Sequence, residues 1–279
     1  MSYTAEISRA NPSCFIFLLD RSSSMEDPIG GETGAPKRDV VADAMNRLLA
    51  ELAIKCAKEE GVRDYFHVAV VGYGGNDVSS VFGGALAGRE LVPISVVAEN
   101  PLRLEERMRK ESDGAGGVIE LATKFPIWVE PTASGGTPMC KALAKARVLA
   151  MDWVAEHPRC FPPITLNLTD GEATDGDPVA PADELRACAS DDGHVLLFNL
   201  HISGSAGAPV AFPGTDTELP DPFARMLFGM SSVLPPYMQS YAKQNGYQVN
   251  NASRGFVYNA DIVSLVQFLD IGTRALALR

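Results

Sequence analysis

The sequence predicts an open, doubly wound α/β fold. Its centre is a mostly parallel sheet with helices on both faces and one short antiparallel edge strand. Three observations predict it. Apolar runs of strand length alternate along the chain with segments of helical periodicity. Those runs are apolar nearly throughout rather than at every second residue, as strands buried on both faces must be. The run Cys14–Leu19 stops abruptly at an acid, Asp20, and the strand Pro163–Thr169, apolar at Ile164, Leu166 and Leu168, also ends at one, Asp170.

Each element follows in order. After the first strand, Glu26–Arg38 is rich in Gly and Pro and predicts a loop. From Val40 to Glu60, Val40, Ala44, Leu48, Leu52 and Cys56 recur every four residues, which predicts a helix stopped by Gly61. Tyr65–Tyr73 is a β-branched and aromatic run, the second buried strand. Val78–Phe82 predicts a short edge strand and Leu91–Val97 another, interrupted by Pro93. Leu102–Lys110 predicts a short charged helix, and Ile127–Val129 an extended segment. A clear helix begins beyond Ser134-Gly135-Gly136-Thr137-Pro138, with Thr137 as its N-cap and Pro138 as its first residue, and ends at His157-Pro158. Pro163–Thr169 is the next strand, Asp183–Ser190 a short helix and Val195–Ile202 a further buried strand. Helical patches at Pro222–Met230 and Pro236–Asn245, a short strand at Gly255–Tyr258 and an amphipathic helix at Asp261–Leu276 close the chain. The expected organisation is a single domain over residues 1–279, with elaborated segments at about 84–132 and 204–250.

Composition narrows the function. With 279 residues, 46% hydrophobic and 21% charged, the chain can bury a substantial core. A net charge of -11 and no Lys/Arg-rich run argue against a nucleic-acid partner. No apolar run is long enough to cross a bilayer. The five cysteines, Cys14, Cys56, Cys140, Cys160 and Cys188, are odd in number and lack metal or redox spacing, which fits a reducing compartment. Residues 1–12 contain no apolar core of a secretory signal, so the expected location is cytoplasmic.

The candidate site comes from three loops. In Asp20-Arg21-Ser22-Ser23-Ser24 the side chains of Asp20, Ser22 and Ser24 alternate, which puts three oxygens on one side of a short extended turn. Thr137 precedes a helix, and Asp170 ends a strand. In an open doubly wound sheet such loops gather at the carboxyl ends of the strands. If the two acid-terminated strands are neighbours, the set is two carboxylates and three hydroxyls, all hard oxygen donors. That donor set suits Mg2+, with Mn2+ or Ca2+ as alternatives, and disfavours zinc and copper.

Asp-x-Ser-x-Ser at 20–24, the lone Thr in Gly135-Gly136-Thr137-Pro138, and Thr169-Asp170-Gly171 together resemble the metal-ion-dependent adhesion site of von Willebrand factor type A domains. The resemblance runs from about Ser13 to Ala275. It implies that Ser22 and Ser24 contact the metal directly, Thr137 directly or through water, and Asp20 and Asp170 from close by, often through waters. It further implies a protein-interaction module, not an enzyme, in which a partner's Glu or Asp completes the octahedron. Within the family, the bacterial cytoplasmic stress-response and tellurium-resistance type looks nearer than secreted adhesins.

Taken singly, Asp20 and the serines could form a capped turn, Thr137 an N-cap and Asp170 an Asp-Gly turn. The enzyme alternative is Mg2+-dependent phosphoryl transfer or hydrolysis using Asp20. Glu172, Asp175 and Asp177 are expected as a solvated acidic loop, and Ser231 and Ser232 stay outside the set although their loop could reach the site face. His67, His157, His194 and His201 are expected in structural or surface roles, and Trp128 and Trp153 as packing residues.

Overall fold

The computed structural model describes residues 3–29, 34–112, 118–202 and 209–260. The elements in chain order are β1 (Ser13–Asp20), α1 (Lys37–Cys56), β2 (Ala57–Lys58), β3 (Gly61–Val62), β4 (Phe66–Gly74) and β5 (Asp77–Ser80). Next come β6 (Val92–Pro93), α2 (Ile94–Glu99), β7 (Arg103–Ser112), β8 (Val118–Ile127), α3 (Met139–Glu156) and β9 (Ile164–Thr169). The chain continues through α4 (Val179–Ala187), β10 (Leu196–His201), β11 (Val210–Ala211), α5 (Pro222–Met230), α6 (Pro236–Gln244) and β12 (Phe256–Tyr258). The helix expected at Asp261–Leu276 lies outside the described residues.

The central sheet has the order β11-β12-β10-β9-β1-β4-β5, with β6 also on β4. β4, β1, β9, β10 and β12 are parallel. The expected antiparallel edge strand is β5, and the two-residue strands β6 and β11 also run antiparallel. From β1 the chain winds outward to β4 on one side and later to β9, β10 and β12 on the other. The switch point therefore lies between β1 and β9, which pair directly with Leu19 opposite Leu168.

Alternation along the strands builds two cores. Phe15, Phe17 and Leu19 of β1 face α1, α2 and α6, together with Ile164, Leu166 and Leu168 of β9. Cys14, Ile16 and Leu18 face α3, α4 and α5. Asp20 continues the even-numbered series, so its side chain comes out on the α3 side of the sheet.

Several elements depart from the sequence reading. The first long helix ends at Cys56. Gly61, expected to stop it, sits at φ +113 in the small β2–β3 hairpin. Leu91–Val97 is a two-residue strand followed by α2. Pro93 has no N–H for a longer ladder and serves as the helix N-cap residue, while Asp64 accepts a bond from Ser95 N–H at 3.0 Å. Leu102–Lys110, expected as a helix, is strand from Arg103 on, part of β7, which pairs with β8 in an antiparallel ribbon separate from the main sheet. Its charges lie two residues apart on one strand face. Glu105 pairs with Arg103 at 3.3 Å and with Arg107 at 3.0 Å, and Arg107 also stacks over Phe125 and pairs with Asp43 of α1.

Candidate metal centre

Three loops meet over the β1/β9 switch point, and backbone hydrogen bonds lock them together. Ser23 N–H donates to Gly135 C=O at 2.9 Å, and Ser134 N–H to Arg21 C=O at 2.6 Å. Gly75 N–H donates to Gly136 C=O at 2.8 Å, which ties in the β4–β5 turn. Thr137 and Thr174 bond reciprocally: Thr137 N–H to Thr174 Oγ1 at 2.8 Å and Thr174 N–H to Thr137 C=O at 2.9 Å. The close approach depends on glycine. A Cβ on Gly74 would come within 2.5 Å of the Arg21 carbonyl oxygen, and one on Gly135, at φ +64, within 2.5 Å of Gly75 Cα.

Asp20 is 2% exposed and both its oxygens accept hydrogen bonds. Oδ1 takes Ser22 N–H at 2.8 Å, and Oδ2 takes Thr169 Oγ1–H at 2.6 Å. Burial pushes its carboxyl up to about 6, partly offset by the Ser22 and Thr169 bonds, and nearby Asp170 pushes in the same direction as burial. No cation pairs with Asp20 among the described residues. Ser22 is buried, Ser24 is exposed, and their Oγ atoms lie 3.0 Å apart. Thr137 is buried at the mouth of α3.

Thr137 does not cap that helix. Pro138 holds the N-cap position, and the Asp175 carboxylate accepts from Cys140 N–H and Lys141 N–H, each at 3.0 Å. Asp175, expected in a solvated acidic loop, is thus the cap, supplied from across the crevice.

Asp170 has an unanticipated partner. Lys37 Nζ lies 3.1 Å from Asp170 Oδ2 and donates to Ser24 C=O at 3.3 Å. Lys37 opens α1, and no local motif encodes its reach to Asp170. His201 is also more than a surface residue. It is buried at the end of β10, bonded to the Asp170 backbone and stacked on Tyr258 at 5.0 Å. Burial lowers its ring below the ordinary histidine range.

Beneath the site a row of buried polar side chains crosses the sheet. Tyr73 Oη donates to Asn167 Oδ1 at 2.7 Å, Asn167 Nδ2 to Asn199 Oδ1 at 2.9 Å, and Asn199 Nδ2 to Ser231 Oγ at 3.0 Å. Ser231 ends this row, and Ser232 bonds with Leu197 near the start of β10, so neither reaches the site edge.

The donors fit a small divalent cation. Two adjacent ligands of an octahedral Mg2+ with bonds of about 2.1 Å stand about 3 Å apart. That matches the separation of the Ser22 and Ser24 hydroxyls. Asp20 is a buried carboxylate in need of a positive charge, and the surrounding donors are oxygens. Among the described residues no cluster of three or more His, Cys, Asp or Glu side chains is placed to hold a metal, so any such site must rest on hydroxyls.

Fold and site together define an open α/β sheet with a carboxylate–hydroxyl cluster over the carboxyl ends of its central strands. No family model and no curated protein matches the chain. Similar solved structures include three N-terminal domains of the type V pili tip protein Mfa5 from Porphyromonas gingivalis, at TM-score 0.33 and 15% identity, covering 58% of this chain and 20% of that one. The vWF domain of the same protein has TM-score 0.33 and 15% identity, over 58% of this chain and 39% of that one. PilB minor pilin from Streptococcus sanguinis has TM-score 0.43 and 10% identity, over 94% and 61%. The chain thus spans from 20% to 61% of the length of these chains, and similarity this low assigns it no activity.

Proposed function

We propose that the chain is a metal-dependent protein-interaction module of the von Willebrand factor type A kind. In this reading Ser22 and Ser24 hold a Mg2+ (or Mn2+ or Ca2+) directly, Thr137 does so directly or through water, and Asp20 and Asp170 act from close by. The observation that carries the reading is the buried, cation-free carboxylate of Asp20 beneath two hydroxyls spaced 3.0 Å apart. When bound, the cation supplies an open coordination position for a carboxylate of a partner protein. Asp20 orients the Ser22 backbone, and the interlocked loops fix the hydroxyls before the ion arrives, so little ordering is required on binding. The N-terminus of α3 beside Thr137 adds a favourable field for an anion.

Asp20 is poorly placed as a nucleophile, because both its oxygens are engaged, and this favours recognition over phosphoryl transfer. All five cysteines are free thiols, which supports a cytoplasmic setting such as a stress-response or tellurium-resistance-like system.

The test is calorimetric titration of Mn2+ into the wild-type chain and Asp20→Ala, with capture of partners from the native host with and without EDTA. Saturable binding lost in Asp20→Ala, and partners released by EDTA, are expected. If chelation lowers the melting temperature but spares the partners, the metal is a structural staple and the recognition role is wrong.

A further inference from the structure

Lys37 is anomalous in two ways. It is 6% exposed, although a buried ammonium is costly unless it is paired. It also occupies the first position of α1, where the helix dipole disfavours a cation. What holds it there is Asp170, whose side chain is 8% exposed, with Nζ 3.1 Å from Oδ2, and the Ser24 carbonyl at 3.3 Å. Asp27, at 4.0 Å and 69% exposed, adds little.

We propose that Lys37 is a fixed internal counter-cation that sets the residual charge of the metal centre, and through it the preference for an anionic partner. The inference rests on the metal-centre reading above. One oxygen of Asp170 is committed to the ammonium, whereas Asp20 has no cation partner among the described residues. A divalent ion among two carboxylates and one ammonium leaves the centre net positive, and its open position attracts a carboxylate. Without the ammonium the two acids would neutralise the ion, tightening its binding and removing the pull on an anionic side chain. Lys37 therefore exchanges metal affinity for partner affinity. It is a positioning residue, and its sign is the opposite movement of two binding constants.

The experiment titrates Mn2+ into the full chain and then, at saturating Mn2+, a blocked peptide carrying a single glutamate. Lys37→Met is expected to bind Mn2+ about tenfold more tightly and the peptide at least about fivefold more weakly. If both affinities fall together, or neither moves, the inference is overturned. Should Lys37→Met fail to fold, Lys37→Gln keeps a donor for Asp170 and the Ser24 carbonyl without the charge. The same opposite movement of the two affinities is expected, and a Lys37→Gln chain with both affinities at wild-type values sinks the proposal. The Asp20→Ala control separates the two levels. If wild type and Asp20→Ala take up Mn2+ equally or not at all, the metal centre itself falls, and the inference with it. If only Asp20→Ala fails and Lys37→Met behaves as wild type, the inference alone falls.

Discussion

Thr169 Oγ1–H donates to Asp20 Oδ2 at 2.6 Å, linking the ends of the two central strands across the switch point. This bond, the Ser22 hydroxyl and the Ser22 N–H offset only part of the effect of burial, which raises the carboxyl to about 6. The folded chain therefore holds the Asp20 proton more tightly than the unfolded chain does. This group favours folding below about pH 4 and loses that contribution as pH rises through about 6. Asp20→Asn is expected to stabilise the metal-free chain at pH 7.5 by about 3 kcal/mol and to make no difference near pH 3.5. Urea denaturation at the two pH values, in EDTA, measures it. Equal effects at both would show that Asp20 is not the group responsible.

The polar row beneath the site predicts a second effect. Asn167→Ala removes the Tyr73 Oη acceptor at 2.7 Å, with Thr169 its remaining side-chain partner, and leaves Asn199 Oδ1 without its donor. The expected loss is about 3 kcal/mol, against about 1–2 kcal/mol for Tyr73→Phe. Denaturation midpoints for the two variants should keep this order.

Gly135 holds the Thr137 loop at φ +64 against Gly75. Gly135→Ala is strained both by its conformation and by the contact. It should cost about 1–3 kcal/mol and weaken Mn2+ binding, because Thr137 and Ser23 are displaced together. A destabilised variant with unchanged Mn2+ affinity would show that the Thr137 loop takes no part in holding the ion.

Asn46 of α1 makes three bonds to the strand exit after the ribbon. Its Oδ1 accepts from Trp128 N–H at 2.8 Å and Val129 N–H at 3.0 Å, and its Nδ2 donates to Val129 C=O at 2.9 Å. Asn46→Ala should cost about 3 kcal/mol. Trp128, 3% exposed, should respond with red-shifted fluorescence as the segment loosens, while Mn2+ affinity stays close to wild type.

The parallel strands were legible because burial on both faces leaves an unbroken apolar signature, as in Cys14–Leu19. Asp20, Ser22, Ser24, Thr137 and Asp170 could be picked out as candidates because each lies just beyond a strand or just before a helix. What escaped depends on contacts between distant segments. Lys37 finds Asp170 from 133 residues away, and Asp175 caps α3 from 35. The charges of β7 mimic an exposed helix, since i,i+2 ion pairing can be recognised only once the partner strand is known.

The β7–β8 ribbon enters and leaves the body at one place, where Leu102 N–H donates to Ile127 C=O at 2.7 Å. Leu104, Met108 and Leu121 along it are exposed, and its anchorage to the body includes Asp43 and Asn46 of α1. Apart from the tie of Arg107 to Asp43, a segment whose two ends already touch behaves as an appendage with a single socket. Its length can be changed, or a reporter domain grafted in its place, without altering the register of any strand in the main sheet.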